Sequence, residues 1–125
     1  MKQAEVEACV VITTCASDEE ATVIAGALLD AQLAACIQVT DIQSHYVWQG
    51  KRATEPEKLL LVKTRMALYP QVEAAILAAH SYDVPEVICL PVAAGSTAYL
   101  GWIGEVTKPS PQSHSDVRVF KPTWP

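Results

Sequence analysis

The sequence predicts an α+β fold in which six elements follow one another in the order β-α-β-β-α-β. Three observations lead to this prediction: an almost wholly apolar run at residues 8–14, two segments with apolar residues at helical spacing, and a long β-rich stretch with one glycine near its middle. This order is that of the split βαβ, or ferredoxin-like, arrangement. We therefore expect a ferredoxin-like sandwich with a long hairpin between the second and third strands, and with additions at the C-terminus.

The first strand and the first helix have plain local signals. Residues 8–14, ACVVITT, are β-rich and apolar, which predicts a central strand that is buried on both faces. Ser17 followed by Glu20 forms a capping box, and the acids between them suit the positive end of a helix. Apolar residues then recur at helical spacing. The first helix is expected to run to about Gln32.

The second and third strands are expected to form a long hairpin. Residues 36–49 and 52–65 are β-rich, and Gly50 marks the turn. Since strands usually have about six residues, the tip of this hairpin should project beyond the domain. Pro56 should mark a bulge or a break. The run LLLV at 59–62 predicts burial on both faces, so another subunit should cover the sheet face that the helices leave open.

The second half of the chain predicts a second helix, a fourth strand and a short third helix. Pro70 lies in the first turn of the second helix, which should end near His80. Residues 86–92, EVICLPV, form the fourth strand. Residues 97–106 predict a short helix, which is weakened by two glycines.

Composition favours one domain that assembles with copies of itself. The domain is expected at residues 1–107, followed by a Pro-rich, mobile tail at 108–125 whose VRVF motif is a candidate edge strand. Apolar residues make up 50% and charged residues 18%, which leaves apolar surface for an interface between subunits. The net charge of −5 and the lack of a basic cluster argue against a nucleic-acid partner. No apolar run approaches the ~20 residues of a membrane span.

Cysteine usage indicates a reducing compartment. The start of the sequence has no signal-peptide pattern, so we expect a cytoplasmic protein with reduced thiols. No C-x-x-C motif occurs, which argues against a zinc site built from cysteines alone. Cys15 lies at a strand-to-helix junction, where a helix N-terminus would lower the pKa of its thiol. The other cysteines are expected to be small core residues.

The densest polar cluster is HSYDVPE, residues 80–86. Its polar members lie at a helix-to-strand junction: His80, Tyr82, Asp83 and Glu86. Imidazole and carboxylate together could hold a divalent ion there or move a proton. The simpler interpretation is a histidine that caps a helix, followed by an ordinary loop.

Aromatic residues outside this cluster are candidates for a ligand site or an interface. Tyr46 and Trp48 lie on one face of the hairpin tip, and Tyr99 and Trp102 lie in the third predicted helix. All four could stack on a ligand. Because Tyr and Trp are enriched at interfaces, we favour a role as interface anchors.

Lys63 follows the apolar run of the third strand. It could bind an anion or pair with Glu57 or Glu86. The alternative is that its ammonium group extends into solvent at the end of the strand and has no specific partner. No Cys-His-Asn, Ser-His-Asp or glycine-rich phosphate loop occurs at the expected spacing, so an enzyme is not expected.

Five motifs follow one another between residues 8 and 107. They are LAAC (33–36), S-x-Y-x-W-x-G-K (44–51), the segment from Glu57 through LLLVKT, H-x-Y-x-V-P-E (80–86) and LPV-x-x-G-x-x-x-YL-x-W-I (90–103). In their order and spacing they resemble the CutA family of divalent-cation tolerance proteins. The resemblance implies a ferredoxin-like subunit, a tight homotrimer, a cytoplasmic location, and binding of Cu2+ or another divalent cation without catalysis.

The resemblance also indicates metal ligands. In bacterial members of the family, metal binding is attributed to a cysteine that ends the first strand and to a histidine pair before an aromatic residue. On this sequence these positions correspond to Cys15 and His80, although Ala79 replaces the first histidine and Ser81 replaces the usual proline. Counted back from LAAC without a gap, Thr13 falls at the cysteine position. Thiolate and imidazole together suit copper.

The family is also similar in architecture to PII-like trimeric signal proteins. The alternative function is therefore a regulatory trimer that binds a small anionic molecule in a cleft between subunits. The candidate cleft residues are Tyr46, Trp48, Glu57, Lys63, Tyr82, Glu86, Tyr99 and Trp102. A third hypothesis, a small enzyme with His80 as base, is the least favoured.

Overall fold

A computed structural model describes residues 6–109, so the predicted edge strand VRVF and most of the predicted tail lie outside the described residues. The elements are β1 Ala8–Cys15, α1 Asp18–Asp30, β2 Cys36–Trp48, β3 Lys51–Arg65, a 3₁₀ turn at Met66–Leu68, α2 Tyr69–Ala79, β4 Val87–Pro91 and α3 Thr97–Val106. The strands form one antiparallel sheet in the order β2-β3-β1-β4. The predicted α+β, ferredoxin-like fold is confirmed, while the domain boundary at residue 107 stays a prediction.

Helices α1 and α2 cover one face of the sheet and form the core with it. The central side chains are fully buried, and they come from both layers: Val11, Leu60 and Val62 from the sheet, and Ile24, Leu28, Val72 and Ile76 from the helices. Burial of each such side chain contributes about 1.5–3 kcal/mol to folding. None of the helices among residues 6–109 has the length and apolar character needed to cross a membrane.

The described part of the chain covers the opposite face of the sheet only partly. Ile12 pairs with Leu61 and Ile88, and Val10 pairs with Leu90, so these side chains share the face that points away from α1 and α2. Ile88 and Leu90 are 47% and 45% exposed. We call these five residues the open sheet face. Among residues 6–109, β1 and β3 are therefore not buried on both faces, and cover by another subunit stays a prediction.

The hairpin of β2 and β3 is paired along its whole length. Gln49 and Gly50 form its turn with φ values of 52° and 78°, a two-residue turn of the I′ type. The predicted bulge or break at Pro56 is wrong, because Pro56 pairs with Gln43 in a continuous ladder. Lys58 is the last β3 residue that pairs with β1, and Pro56 lies beyond it. At Pro56 the edge of β3 that faces away from β2 has no partner strand, so a residue without an N–H is tolerated there.

Helix α1 begins as predicted and ends earlier than predicted. The Ser17 hydroxyl accepts a hydrogen bond from the Glu20 N–H at 3.1 Å, which is half of the predicted capping box. The Glu20 carboxylate accepts from the N–H of Ala16, one residue before the cap. The helix ends at Asp30. Gln32 has a φ of 59°, a left-handed backbone conformation in which a right-handed α-helix cannot continue.

Candidate functional site

A cleft of about 570 Å³ lies between the hairpin and the loop that joins α2 to β4. Acidic and aromatic side chains dominate its lining, with Tyr46, Trp48, Glu55 and Glu57 from the hairpin and Tyr82, Asp83 and Glu86 from the loop. The register places Ser44 opposite Glu55 and Tyr46 opposite Ala53, so hairpin residues on one face converge on this cleft. We call it the hairpin cleft.

Glu57 links the two walls of the hairpin cleft. Its carboxylate accepts one hydrogen bond from the Ser44 hydroxyl at 2.6 Å and another from the Tyr82 hydroxyl at 2.7 Å. Burial and then the Glu57 carboxylate raise the pKa of Tyr82, so its hydroxyl remains a donor. The hairpin and the loop are therefore joined by charge-assisted hydrogen bonds.

The hairpin cleft carries a negative potential. Partial burial and then the negative charge of Glu57 raise the pKa of Glu86. Four carboxylates and no lysine or arginine line the cleft among the described residues. Such a lining attracts cations and repels anions.

His80 lies directly after α2, beside the hairpin cleft, with its side chain fully buried. One ring nitrogen, Nε2, is 2.7 Å from the carbonyl oxygen of Thr14, and the other, Nδ1, accepts a hydrogen bond from the Tyr82 N–H at 3.2 Å. These partners assign the proton to Nε2. The ring centroid is 4.8 Å from that of Tyr82. His80 thus joins the end of β1 to the loop, and both of its nitrogens have partners.

Glu20, in the first turn of α1, stabilises the loop that joins α2 to β4. It accepts hydrogen bonds from the Ser81 N–H at 2.8 Å, from the Ser81 hydroxyl at 3.1 Å and from the Ala16 N–H at 3.4 Å. Burial alone would raise the pKa of Glu20, but these hydrogen bonds and the nearby His80 outweigh it and hold the pKa below its usual value.

Cys15 is the last residue of β1, next to the Thr14 carbonyl that contacts His80. Its thiol is buried and donates to the Ser17 carbonyl oxygen at 3.6 Å. Burial is the largest influence and raises the thiol pKa, and the acids around it raise it further. The predicted lowering of this pKa by the helix N-terminus is therefore wrong, because removal of the thiolate from water is the stronger effect.

The donor types at Cys15 and His80 fit a copper ion, but their present hydrogen bonds leave no free ligand atom. Among residues 6–109, no three His, Cys, Asp or Glu side chains are grouped so that they could hold a metal ion. A cation at Cys15 and His80 would have to replace the hydrogen bonds to Ser17 and Thr14.

The candidate ligand residues divide into two groups on the chain. Five of them line the hairpin cleft: Tyr46, Trp48, Glu57, Tyr82 and Glu86. The other three lie near α3, where the Lys63 Nζ is 5.7 Å from the Tyr99 ring centroid and the Tyr99 and Trp102 centroids are 5.6 Å apart.

Lys63 lies far from the acids with which it was expected to pair. It is six residues along β3 from Glu57, a distance of about 20 Å in an extended strand. The anticipated pairing of Lys63 with Glu57 or Glu86 is therefore absent within one chain, and its ammonium lies beside Tyr99 instead.

Among the cleft residues that sequence reasoning did not propose as ligand contacts are Glu55 and Ser44. Both face the cleft because side chains alternate along a strand and these two share the parity of Glu57 and Tyr46. The alternation of side chains along a strand would therefore have identified both residues. The hydrogen bond from Ser44 to Glu57 could not be predicted in this way, because it depends on the pairing register of the two strands.

Comparison with known proteins identifies the family. Residues 9–106 match the family described as CutA1 divalent ion tolerance protein. The divalent-cation tolerance protein CutA of Thermus thermophilus is 42% identical, over 78% of this chain and 96% of that protein. Protein CutA 1, chloroplastic, of Oryza sativa is 40% identical over 81% of this chain, and the chain spans 58% of that relative's length.

Solved structures of similar proteins share the fold. CutA1 from Oryza sativa has a TM-score of 0.82 and 39% identity, over 85% of this chain and 98% of that one. The periplasmic divalent cation tolerance protein CutA from Archaeoglobus fulgidus has a TM-score of 0.79 and 35% identity, over 81% and 99% of the two chains. The described compartments of relatives thus differ. Since the family match spans most of the sequence and the fold agrees, the chain belongs to the CutA1 divalent ion tolerance protein family.

Proposed function

We propose that this chain is a non-catalytic, homotrimeric protein of the cytoplasm that binds divalent cations, with Cu2+ as the preferred ion, and supports tolerance of them. Family membership over residues 9–106, with relatives named for divalent-cation tolerance, is the observation that carries this proposal. The negative lining of the hairpin cleft supports it on this chain, because it favours a cation at this end of the sheet.

We assign His80 and Cys15 as the proposed ligands. Imidazole and thiolate suit Cu2+, which binds such donors more strongly than other first-row divalent ions do. The nearby carboxylates raise the local concentration of cations. Because the Cys15 thiol has to lose its proton and its pKa is raised, binding should strengthen as the pH rises.

The proposal of a homotrimer draws support from exposed apolar surface. The open sheet face is apolar, and Tyr46 and Trp48 at the hairpin tip are 40% and 45% exposed. Such surface is typical of a face that another subunit covers. The cysteines are all free, which supports a reducing compartment such as the cytoplasm.

The alternative function is a regulatory trimer that binds a small molecule. The size of the hairpin cleft suits such a ligand. However, its carboxylates oppose the anionic ligand that this hypothesis requires, and Lys63 lies at the other end of β3. A neighbouring subunit would have to supply the positive charge.

The test is an anaerobic Cu2+ titration of reduced protein by calorimetry, with an electron paramagnetic resonance spectrum to verify that the ion stays divalent. We expect one ion per chain and a loss of affinity of at least about tenfold in His80→Ala and in Cys15→Ser. Cys36→Ser, in a half-buried cysteine of β2, is the control and should bind as the parent does.

Weak Cu2+ binding that neither substitution changes would contradict the proposal. Stabilisation against unfolding by a nucleotide or a carboxylate in the absence of metal would then support the alternative function.

A further inference from the structure

The carboxylates of the hairpin cleft are spread over both of its walls. Glu55 and Glu57 belong to β3, and Asp83 and Glu86 belong to the loop that joins α2 to β4. Among residues 6–109 no three His, Cys, Asp or Glu side chains are grouped closely enough to hold a metal ion, so these four acids do not converge on one point. A cation with several separated charges suits this arrangement better than a single metal ion, whose oxygen ligands lie within about 2.6 Å of it.

The spacing of the two hairpin acids matches that of a short diamine. Glu55 and Glu57 are two residues apart on one face of β3, so their Cα atoms are separated by about 6.7 Å. In 1,4-diaminobutane, five single bonds of about 1.5 Å in a zigzag hold the two nitrogen atoms about 6 Å apart. One ammonium group can therefore lie beside each carboxylate.

Glu57 is held in place and still has acceptor capacity. The Ser44 hydroxyl donates to its Oε1 and the Tyr82 hydroxyl donates to its Oε2. Each carboxylate oxygen has two lone pairs, so both oxygens can accept a further N–H from a ligand. Because the carboxylate is already fixed by its partners, a ligand loses less free energy in ordering it.

Aromatic rings give the hairpin cleft an apolar part as well as a charged one. Tyr46 and Trp48 line it from β2 and are 40% and 45% exposed. The face of such a ring attracts an ammonium group and packs against the methylene groups next to it. The cleft volume of about 570 Å³ lies in the range of small-molecule sites. An organic cation uses both parts of this lining, whereas an inorganic ion uses the charge alone.

We propose that the hairpin cleft binds an aliphatic polyamine, whose ammonium groups lie beside the carboxylates and whose carbon chain lies along Tyr46 and Trp48. A triamine such as spermidine gains a further contact on the loop wall, at Glu86. The site uses neither His80 nor Cys15, the ligands of the proposed Cu2+ site, so it goes beyond the proposed function and either proposal can fail without the other.

The test is a calorimetric titration of metal-free protein with spermidine at about 0.15 M salt, which screens long-range attraction to an acidic protein. We expect saturable binding of one spermidine per chain. Affinity should fall at least about threefold in Glu55→Gln and in Glu86→Gln, and at least about tenfold in the double variant, because each change removes a charge-assisted hydrogen bond.

Three controls separate the cleft from general attraction to negative charge. Glu19→Gln removes the same charge from an exposed acid of α1 and should bind spermidine as the parent does. Butylamine, with one ammonium group, should bind at least about tenfold more weakly than 1,4-diaminobutane. Cys15→Ser, which removes a proposed Cu2+ ligand, should leave the affinity for spermidine unchanged.

The variants at Glu55 and Glu86 leave the ring of Trp48 in place, because Trp48 is also the proposed interface anchor. Sedimentation of each variant should match that of the parent, so that a loss of affinity is not a loss of assembly. The proposal is overturned if the parent does not bind spermidine, if the double variant binds it as the parent does, or if Mg2+ at equal ionic strength displaces it as well as 1,4-diaminobutane does.

Discussion

Glu20 and Glu86 lie at the same end of the sheet and have opposite pKa shifts. Glu20 receives three hydrogen bonds from N–H and O–H donors, whereas Glu86 is partly buried and faces Glu57. The pKa is therefore lowered at Glu20 and raised at Glu86. One carboxylate fixes the loop, and the other adds negative charge to the hairpin cleft.

The pH dependence of folding should reveal the role of Glu20. Because its pKa is lowered in the folded state, its stabilising effect is present above its ordinary value of 4.5 and is lost as the pH falls through the folded value. We expect Glu20→Gln to lower the free energy of unfolding at pH 7 by about 1 kcal/mol or more and to flatten its decline in acid. Urea unfolding between pH 7 and pH 3 measures both effects.

The control for Glu20 is Glu19→Gln, a change at an exposed acid in the same turn of α1. Equal acid sensitivity of Glu20→Gln and the parent protein would show that the hydrogen bonds to Ser81 and Ala16 do not stabilise the fold.

Single residues of the site could be foreseen only in part. His80, Tyr82, Glu57 and Glu86 were proposed from residue type and motif, and the structure places them beside one another. The pKa of Cys15 could not be foreseen, because it depends on burial that only the packed structure reveals.

At the scale of elements, the turn at Gln49 and Gly50 sets the register of the hairpin. Both residues have positive φ, which the I′ turn requires and which matches the twist of the strands. A register shift of one residue would turn Tyr46, Trp48 and Glu57 away from the cleft.

Two glycine substitutions should have opposite effects on stability. Gly50→Ala places a Cβ at a φ of +78° and should destabilise the fold by about 1–2 kcal/mol. Gly26→Ala lies inside α1, where an added Cβ meets nothing within 4 Å, and should stabilise it by roughly 0.5–1 kcal/mol. Chemical denaturation of both variants checks the pair, and a stable Gly50→Ala would contradict the strain at this turn.

The elements themselves were largely predictable from sequence. The apolar run of β1, the Ser17 cap of α1 and Gly50 at the hairpin turn are local signals, and each element lies close to its expected range. The prediction failed at Pro56. A proline disturbs a strand where its missing N–H would face a partner strand, and β1 ends before it reaches Pro56.

At the scale of the whole molecule, the open sheet face and the hairpin tip are two apolar surfaces that residues 6–109 leave exposed. Val10 and Ile12 of β1 lie between the exposed Ile88 and Leu90 of β4 and Leu61 of the hairpin strand β3. The homotrimer that we propose would bury this surface.

Trp48→Ala should weaken the assembly by about 2 kcal/mol or more, because aromatic residues at the centre of interfaces carry much of the binding energy. Val47→Ala is the matched control, since Val47 is 70% exposed and points to the opposite face of β2. Sedimentation over a dilution series to nanomolar concentration compares the two variants. If Trp48→Ala remains as fully assembled as Val47→Ala, Trp48 is not an interface anchor.

The most direct measurement is the mass of the protein in solution by sedimentation equilibrium at micromolar concentration. We predict a single species of three times the 13.5 kDa chain, because the family resemblance implies a homotrimer and the open sheet face is available for other copies to cover. A species of 13.5 kDa would show that the open sheet face stays in water and would contradict the proposed homotrimer.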